Sequence, residues 1–186
     1  MSVQVEKRLF TVEEYYKMAE AGIFGEDDRV ELLHGEIIKM SPIGSPHIAC
    51  VNRLTRLFNK LDECILSIQN PVSVDDFSEP EPDVALLRYQ KDFYQKRKPR
   101  PEDVLLLIEV ADSTIENDKK IKVPLYAFAG IEEVWLIDLL ENEIIVFTEP
   151  VGGAYRQSRQ YFPGETILCG TIENLTVAVS DVIWTG

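Results

Sequence analysis

The run VLLLIEVA at residues 104–111, in which Glu109 is the one charged residue, constrains the fold more than any other segment. Its length and near-continuous apolar character are typical of a strand that is buried on both faces of a sheet. Burial of an ionised carboxylate without a partner costs several kcal/mol, so Glu109 should be paired, metal-bound or protonated. A structural glutamate bonded to a lysine and a functional carboxylate fit this run equally well.

The segments around this run predict helices and hairpins. Thr11 and Glu14 form a capping box, which predicts a short helix over residues 11–22. The pairs His34-Gly35 and Glu141-Asn142 are the predicted turns of two hairpins. Apolar periodicity predicts a helix at about 46–62, and Pro124 predicts a kink near Lys120 in a helical segment over 113–129. Further strands are predicted in CILSIQNPVSV, VALL, YRQSRQYF, ETILC and LTVAV. This order predicts an α/β (α+β) fold in which a mixed sheet is flanked by helices.

Composition narrows the class of protein. The 186 residues are 45% hydrophobic and predict a single domain over residues 1–186. No window resembles a membrane span or a signal peptide, and the scattered Cys50, Cys64 and Cys169 predict small buried side chains in a reduced, cytoplasmic protein. The formal net charge of −13 disfavours nonspecific binding to a polyanion. A nucleic-acid substrate would therefore require a local basic patch or a metal ion.

Three residues could carry chemistry at a sheet edge. Asp83 opens the strand VALL, although a Pro-Asp pair is also common in turns. Asp118, Lys122 and Tyr126 share one helical face, which indicates either an exposed ion pair or a lysine aimed at the edge that carries Asp83 and Glu109.

The stretches SEPEPDVALL, LLLIEVADST and DKKIKVPLYAFAGIEEVWLID together resemble the Uma-type family of restriction endonucleases. The hairpin RVELLHGEI and Pro46-His47 extend the resemblance over roughly residues 8–150. That family belongs to the PD-(D/E)XK nuclease superfamily, so the resemblance implies a restriction-endonuclease-like fold. Asp83 matches the PD aspartate and Glu109 matches the acidic residue of the second element. Ala111 departs from the superfamily pattern, which has lysine there, and Lys122 on the following helix matches the lysine of Uma-type members.

The resemblance also implies a mechanism. Asp83, Glu109 and the Val110 carbonyl would hold Mg²⁺ or Mn²⁺, since hard oxygen ligands suit these ions. Lys122 would position the attacking water. Glu31 and Gln69 correspond to polar positions near the site, and His47 is either a phosphate contact or simply exposed. The expected activity is that of a magnesium-dependent deoxyribonuclease, a hydrolase that acts on DNA as a homodimer.

Other interpretations remain open at this point. The segment KDFYQKRKPR at residues 91–100 is strongly basic and carries Phe93 and Tyr94. It predicts either a loop that tracks a phosphate backbone and stacks a base, or a solvated connection. The chain could also be a catalytically silent nuclease-fold binding or regulatory protein, or a hydrolase of a smaller phosphodiester. His34 is expected in a turn, and Trp135 and Trp184 are expected in the core or at an interface.

Overall fold

The computed structural model describes residues 6–25, 27–112 and 115–184. Its helices are α1 (Val12–Glu20), α2 (Ser45–Phe58), α3 (Ile115–Asn117), α4 (Val123–Phe128) and α5 (Val179–Val182), with a 3₁₀ turn at Pro101–Asp103 and a π turn at Asp118–Lys122. The strands are β1 (Val30–Leu33), β2 (Glu36–Lys39), β3 (Cys64–Ile68), β4 (Val84–Arg88), β5 (Val104–Ala111), β6 (Glu133–Asp138), β7 (Glu143–Val151), β8 (Ala154–Tyr161), β9 (Thr166–Leu168) and β10 (Thr176–Ala178). Within these ranges, every helix is too short or too polar to cross a membrane.

A six-stranded sheet organises the molecule, with the strand order β3-β4-β5-β6-β7-β8. The β5–β6 pair is parallel and the other pairs are antiparallel. The helical segment that connects β5 to β6 makes the parallel crossover possible. The fold class is therefore as predicted, a mixed sheet flanked by helices, and the apolar run around Glu109 forms an inner strand.

Two hydrophobic layers cover the two faces of this sheet. On one face, Leu54 and Phe58 of α2 pack with Leu106 and Ile108 of β5 and with residues of α5. On the other face, Tyr126 of α4 packs against Leu107 and its neighbours. Because side chains alternate across a strand, Glu109 points to the same face as Leu107, towards α4.

The β1–β2 hairpin lies outside the central sheet and is attached to the chain that leads into β4. His34 and Gly35 form its turn, with φ values of 51° and 75°. A Cβ atom on Gly35 would lie 2.7 Å from Leu9 Cβ, so both the turn and the packing of the N-terminal segment require glycine. Leu32 pairs with Glu79, which carries this hairpin to the sheet edge next to Asp83.

The segment between β5 and β6 is helical but irregular, as Pro124 predicts. Pro124 occupies the first turn of α4, where a missing N–H is tolerated, and the residues before it form the π turn. The predicted segment starts at residues 113 and 114, which lie outside the described residues.

Most predictions for the remaining side chains are confirmed. The three cysteines are free and buried, Trp135 lies in the core and His34 lies in a turn. Trp184 is different, because 73% of it is exposed and the Arg53 guanidinium lies 6.0 Å from its ring. A core position for Trp184 is therefore wrong. The signal-peptide prediction concerns a terminus whose first five residues fall outside the described ranges.

Candidate active site

Asp83 and Glu109 lie on neighbouring strands at one edge of the sheet. Asp83 directly precedes β4, and Val84 pairs with Ile108 in β5. The Val110 N–H donates a 2.9 Å hydrogen bond to Asp83 Oδ2, which ties the aspartate to the residue that follows Glu109. The antiparallel pairing of β4 and β5 therefore brings the carboxylates of Asp83 and Glu109 to the same edge of the sheet.

Asp83 is buried but well supplied with donors. His47 Nε2 lies 3.0 Å from Oδ1, and Gln69 Nε2 donates to the same oxygen at 3.1 Å. Burial by itself raises the pKa of Asp83, but the hydrogen bonds from His47, Val110 and Gln69 outweigh it and hold that pKa below its usual range. Asp83 is thus an ionised carboxylate at neutral pH.

Gln69 reaches Asp83 from an unusual backbone conformation. Its φ is +49°, in the left-handed region that side-chain-bearing residues seldom adopt, and its N–H also donates to the Asp83 carbonyl at 3.2 Å. Backbone strain of this kind persists where surrounding contacts hold it, and it clusters at functional sites.

The pKa of Glu109 is shifted in the opposite direction from that of Asp83. Its side chain is only 3% exposed, Tyr126 donates to its Oε1 at 2.6 Å, and Lys122 Nζ lies 3.3 Å from the same oxygen. Burial raises the pKa of Glu109 to about 8, and the Lys122 ammonium only partly offsets this. The negative charges of Asp83 and Asp118 act in the same direction as burial. The neutral form of Glu109 is therefore favoured in this environment.

Lys122 is a buried lysine held between two glutamates. Its Nζ lies 3.1 Å from Glu31 Oε2, which also accepts the Glu81 N–H at 3.2 Å. Burial lowers the pKa of Lys122, but the carboxylates of Glu109 and Glu31 overcome this and raise the pKa above its ordinary value. The alternative of an exposed ion pair is wrong for Lys122, because the π turn places it inside the protein, whereas Lys120 of the same turn is exposed and pairs with Glu116.

His47 is also buried, so its prediction as a simply exposed residue is wrong. It lies in the first turn of α2, with Pro46 at the helix start, and one imidazole nitrogen faces Asp83. The other, Nδ1, is buried and has no hydrogen-bond partner among the residues that the structure describes. The helix α2 thus presents His47 to the site rather than to solvent.

These residues line one cleft with a volume of about 150 Å³. Six acidic residues line it, and we call this set its floor: Glu31, Glu81, Asp83, Glu109, Asp112 and Asp118. Apolar residues also line it, and we call the following set its wall: Leu33, Ile38, Met40, Pro42, Ile43 and Ile121. Arg29, Lys39 and His47 also line the cleft, together with Lys122.

The basic segment at residues 91–100 contributes no residue to the lining of this cleft. It follows the far end of β4, a strand of five residues, so it starts roughly 17 Å from Asp83 at about 3.3 Å per residue. Arg97 pairs with Asp103, and Lys98 pairs with Glu79 and lies over the Tyr16 ring. Two of its five basic side chains therefore form ion pairs within the protein. This favours the interpretation of the segment as a solvated connection.

The residues of this site fit a divalent cation only if water and substrate complete its coordination. In the described ranges, no group of three or more His, Cys, Asp or Glu residues is arranged to hold a metal. Mg²⁺, however, is typically bound by one or two carboxylates together with water and substrate phosphates. Asp83 and Glu109 would supply those carboxylates, and a bound cation would favour the ionised form of Glu109.

Sequence reasoning missed part of this arrangement. Glu81 and Arg29 were not singled out, although Glu81 stands two residues before Asp83 in EPEPD and the alternation of a strand would place them on one side. The role of Tyr126 as a donor to Glu109 was also missed, although its spacing from Lys122 places both on one helical face. Arg29 carries no motif that distinguishes it from an ordinary surface residue.

The comparisons with known proteins identify the family and the fold. A search of curated proteins found no match. Among solved structures, the chain is similar to the crystal structure of a "putative nuclease belonging to DUF820" from Anabaena variabilis, with a TM-score of 0.68 and 15% sequence identity. The alignment covers 93% of this chain and 97% of that one, which shows a shared fold. The profile of the Uma2 family, described as "Putative restriction endonuclease", matches residues 12–180. This chain therefore belongs to the Uma2 family.

Proposed function

We propose that this protein is a metal-dependent endonuclease that hydrolyses phosphodiester bonds of DNA. The observation that carries the proposal is the convergence of Asp83, Glu109 and Lys122 in one cleft, where Val110 links the two acids and Lys122 contacts Glu109. Membership of the Uma2 family supports the same reaction class.

Asp83, Glu109 and the Val110 carbonyl would hold Mg²⁺ or Mn²⁺. When bound, such an ion neutralises charge that develops on the phosphodiester oxygens and makes water a better nucleophile. Asp83 is prepared for this role because its lowered pKa keeps it ionised. Glu109 reaches its ionised state when positive charge enters the cleft.

Lys122 orients water and stabilises the negative charge of the pentacoordinate phosphorus. Its raised pKa keeps the ammonium protonated throughout the physiological range. Glu31 holds it from the side of the β1–β2 hairpin, so Glu31 acts on the reaction through Lys122. His47 and Gln69 act similarly through Asp83, since both contact its Oδ1.

The test is cleavage of supercoiled plasmid at low salt with Mg²⁺ or Mn²⁺. Wild-type protein should nick the plasmid, and Asp83→Asn and Lys122→Met should reduce the rate at least about a hundredfold, as expected for removal of one charged group that acts in the transition state. Lys120→Met is the matched control, because Lys120 lies in the same π turn but is exposed. Equal nicking by all four proteins would indicate a contaminant and would overturn the proposal.

Assays of the same purified protein distinguish this function from two alternatives. A hydrolase of smaller phosphodiesters would cut a dinucleotide but leave plasmid intact. A catalytically silent module would cut neither substrate and would show no metal-dependent stabilisation. The homodimer implied by the resemblance remains a prediction, which sedimentation of the full chain can test. A cytoplasmic location likewise stays a prediction.

A further inference from the structure

We propose that the cleft beside Asp83 and Glu109 holds an unstacked nucleotide, so that this protein cuts unpaired DNA in preference to a perfect duplex. The inference rests on the proposed nuclease function and names its substrate class. It follows from the wall of the cleft, from the burial of the reacting groups and from the distribution of charge.

The cleft is lined by two kinds of side chain. Carboxylates and Lys122 line it together with aliphatic side chains from β1, β2 and the loop after β2. An extruded nucleotide combines the matching groups, an apolar base face and an anionic phosphate. In a stacked duplex the base faces are covered, so an aliphatic wall would have nothing to contact.

The wall is part of the folded site. A Cβ atom on Gly44 would lie 3.1 Å from Asp112 Oδ2, so the loop that carries Met40 and Ile43 approaches the end of β5 closely. The β1–β2 hairpin is also tied to the π turn through the contact between Glu31 and Lys122.

The reacting groups lie deep in this cleft. Asp83, Glu109 and Lys122 are 9%, 3% and 7% exposed, so a phosphodiester must enter between the wall and the floor to reach them. Duplex DNA is stiff over the length of such a site, and pulling one phosphate inward requires local deformation. A single strand or an unpaired nucleotide enters without that cost.

The distribution of charge also favours unpaired DNA as the substrate. Proteins that grip duplex DNA neutralise many phosphates at once, and this chain carries a net charge of −13. The basic segment at residues 91–100 follows the end of β4 that lies away from Asp83. Arg29 also lines the cleft, where its charge partly offsets the effect of burial on the pKa of Glu81. Binding must therefore depend on contacts within the cleft.

The experiment compares three end-labelled DNAs of one sequence, namely the single strand, the perfect duplex and the duplex with one unpaired nucleotide. Their binding to the full chain is measured by fluorescence anisotropy in Ca²⁺, and their cleavage is measured in Mn²⁺. We expect kcat/KM and affinity to be at least about tenfold higher for the two DNAs with unpaired nucleotides, the scale of one base contact. A perfect duplex that is bound and cut equally well would overturn the inference.

Wall variants make the test specific. Met40→Ala and Ile43→Ala should lower kcat/KM and affinity for the two DNAs with unpaired nucleotides, so that the values for the three DNAs converge. Phe128→Ala is the matched control, because Phe128 is an exposed apolar residue outside the cleft. Retention of the preference in both wall variants would overturn the inference.

The two proposals fail separately. Selective binding of unpaired DNA without cleavage in any metal would refute the nuclease and keep the assignment of the cleft. Metal-dependent cutting that prefers duplex, and that is lost when Lys91, Lys96 and Arg100 are neutralised, would keep the nuclease and overturn the assignment.

Discussion

Two glutamates in the centre of this protein, Glu109 on β5 and Glu133 on β6, are equally buried but differ in their partners. Glu133 accepts hydrogen bonds from the Trp135 indole at 2.7 Å, from the Gly170 N–H at 2.7 Å and from the Thr171 N–H at 3.2 Å. Glu109 is held by an ionisable lysine and a tyrosine and opens onto the cleft.

The difference separates a structural carboxylate from one prepared for chemistry. The donors around Glu133 are neutral, and two of them, Gly170 and Thr171, belong to the chain that leads from β9 to β10, so this carboxylate anchors the C-terminal hairpin to the sheet. Glu109 lacks such backbone donors among its recorded contacts, and burial raises its pKa to about 8. We therefore expect burial beside a cleft and a lysine, rather than burial alone, to mark a functional carboxylate.

The largest expected effect is on catalysis. Glu109→Gln should reduce metal-dependent plasmid nicking by about a thousandfold, because a ligand of the charge-neutralising ion is lost. Glu133→Gln should retain the wild-type rate per folded molecule, as measured against the folded fraction from circular dichroism. A comparable loss of rate in both variants would remove the distinction between the two glutamates.

The next effect is the pH dependence of stability. Between pH 4.5, the ordinary pKa of the side chain, and about pH 8, Glu109 is protonated in the folded state and ionised in the unfolded state. The folded state binds more protons there, so the free energy of unfolding should fall as pH rises through this window, by on the order of a few kcal/mol. Urea denaturation of metal-free protein measures it. The decline should disappear in Glu109→Gln and persist in Glu133→Gln.

At constant pH, the free energy of unfolding should depend more on Glu133 than on Glu109, the reverse of their order in catalysis. Glu133→Gln should lower the free energy of unfolding by about 2 kcal/mol, because an amide donor then faces the N–H groups that the carboxylate accepted. Glu109→Gln should be neutral or stabilising at pH 8 and above, where the wild type must keep a buried charge. Thermal unfolding of both variants decides this, and a larger loss in Glu109→Gln would contradict the comparison.

The smallest effect concerns the donor to Glu109. Tyr126→Phe should reduce the nicking rate roughly tenfold and raise the Mn²⁺ concentration needed for half-maximal activity, since groups that orient metal ligands contribute on this scale. Tyr155→Phe is the matched control, because its hydroxyl donates to the Ile131 carbonyl at 2.7 Å outside the site. Equal metal dependence in both variants would assign Tyr126 a purely structural role.

Most of the fold could be predicted from local patterns. The strand over residues 104–111, the hairpin at His34-Gly35, the capped first helix and the irregular helix before Pro124 each depend on residues close together in sequence. The resemblance to Uma-type endonucleases pointed to Asp83, Glu109 and Lys122, and the structure brings these three together. Their catalytic roles remain predictions.

Local patterns could not decide which side chains are buried at the site or where the loops lie. His47 and Lys122 would be exposed on isolated helices, and only the packing of α2 and of the π turn against the sheet edge buries them. The basic segment 91–100 has the composition of a phosphate-binding loop, but none of its residues lines the cleft that contains Asp83 and Glu109.

Hydrophobic periodicity, capping and turn chemistry thus determined the order of the elements from the sequence, because these signals act over a few residues, and the resemblance to Uma-type endonucleases pointed to the acidic pair. Only the tertiary structure decided that the β1–β2 hairpin lines a cleft together with Asp83 and Glu109, with Glu31 on Lys122 and aliphatic side chains among the carboxylates. Those contacts join residues from Arg29 to Lys122, and burial and charge pairing at such separations arise only when the layers pack.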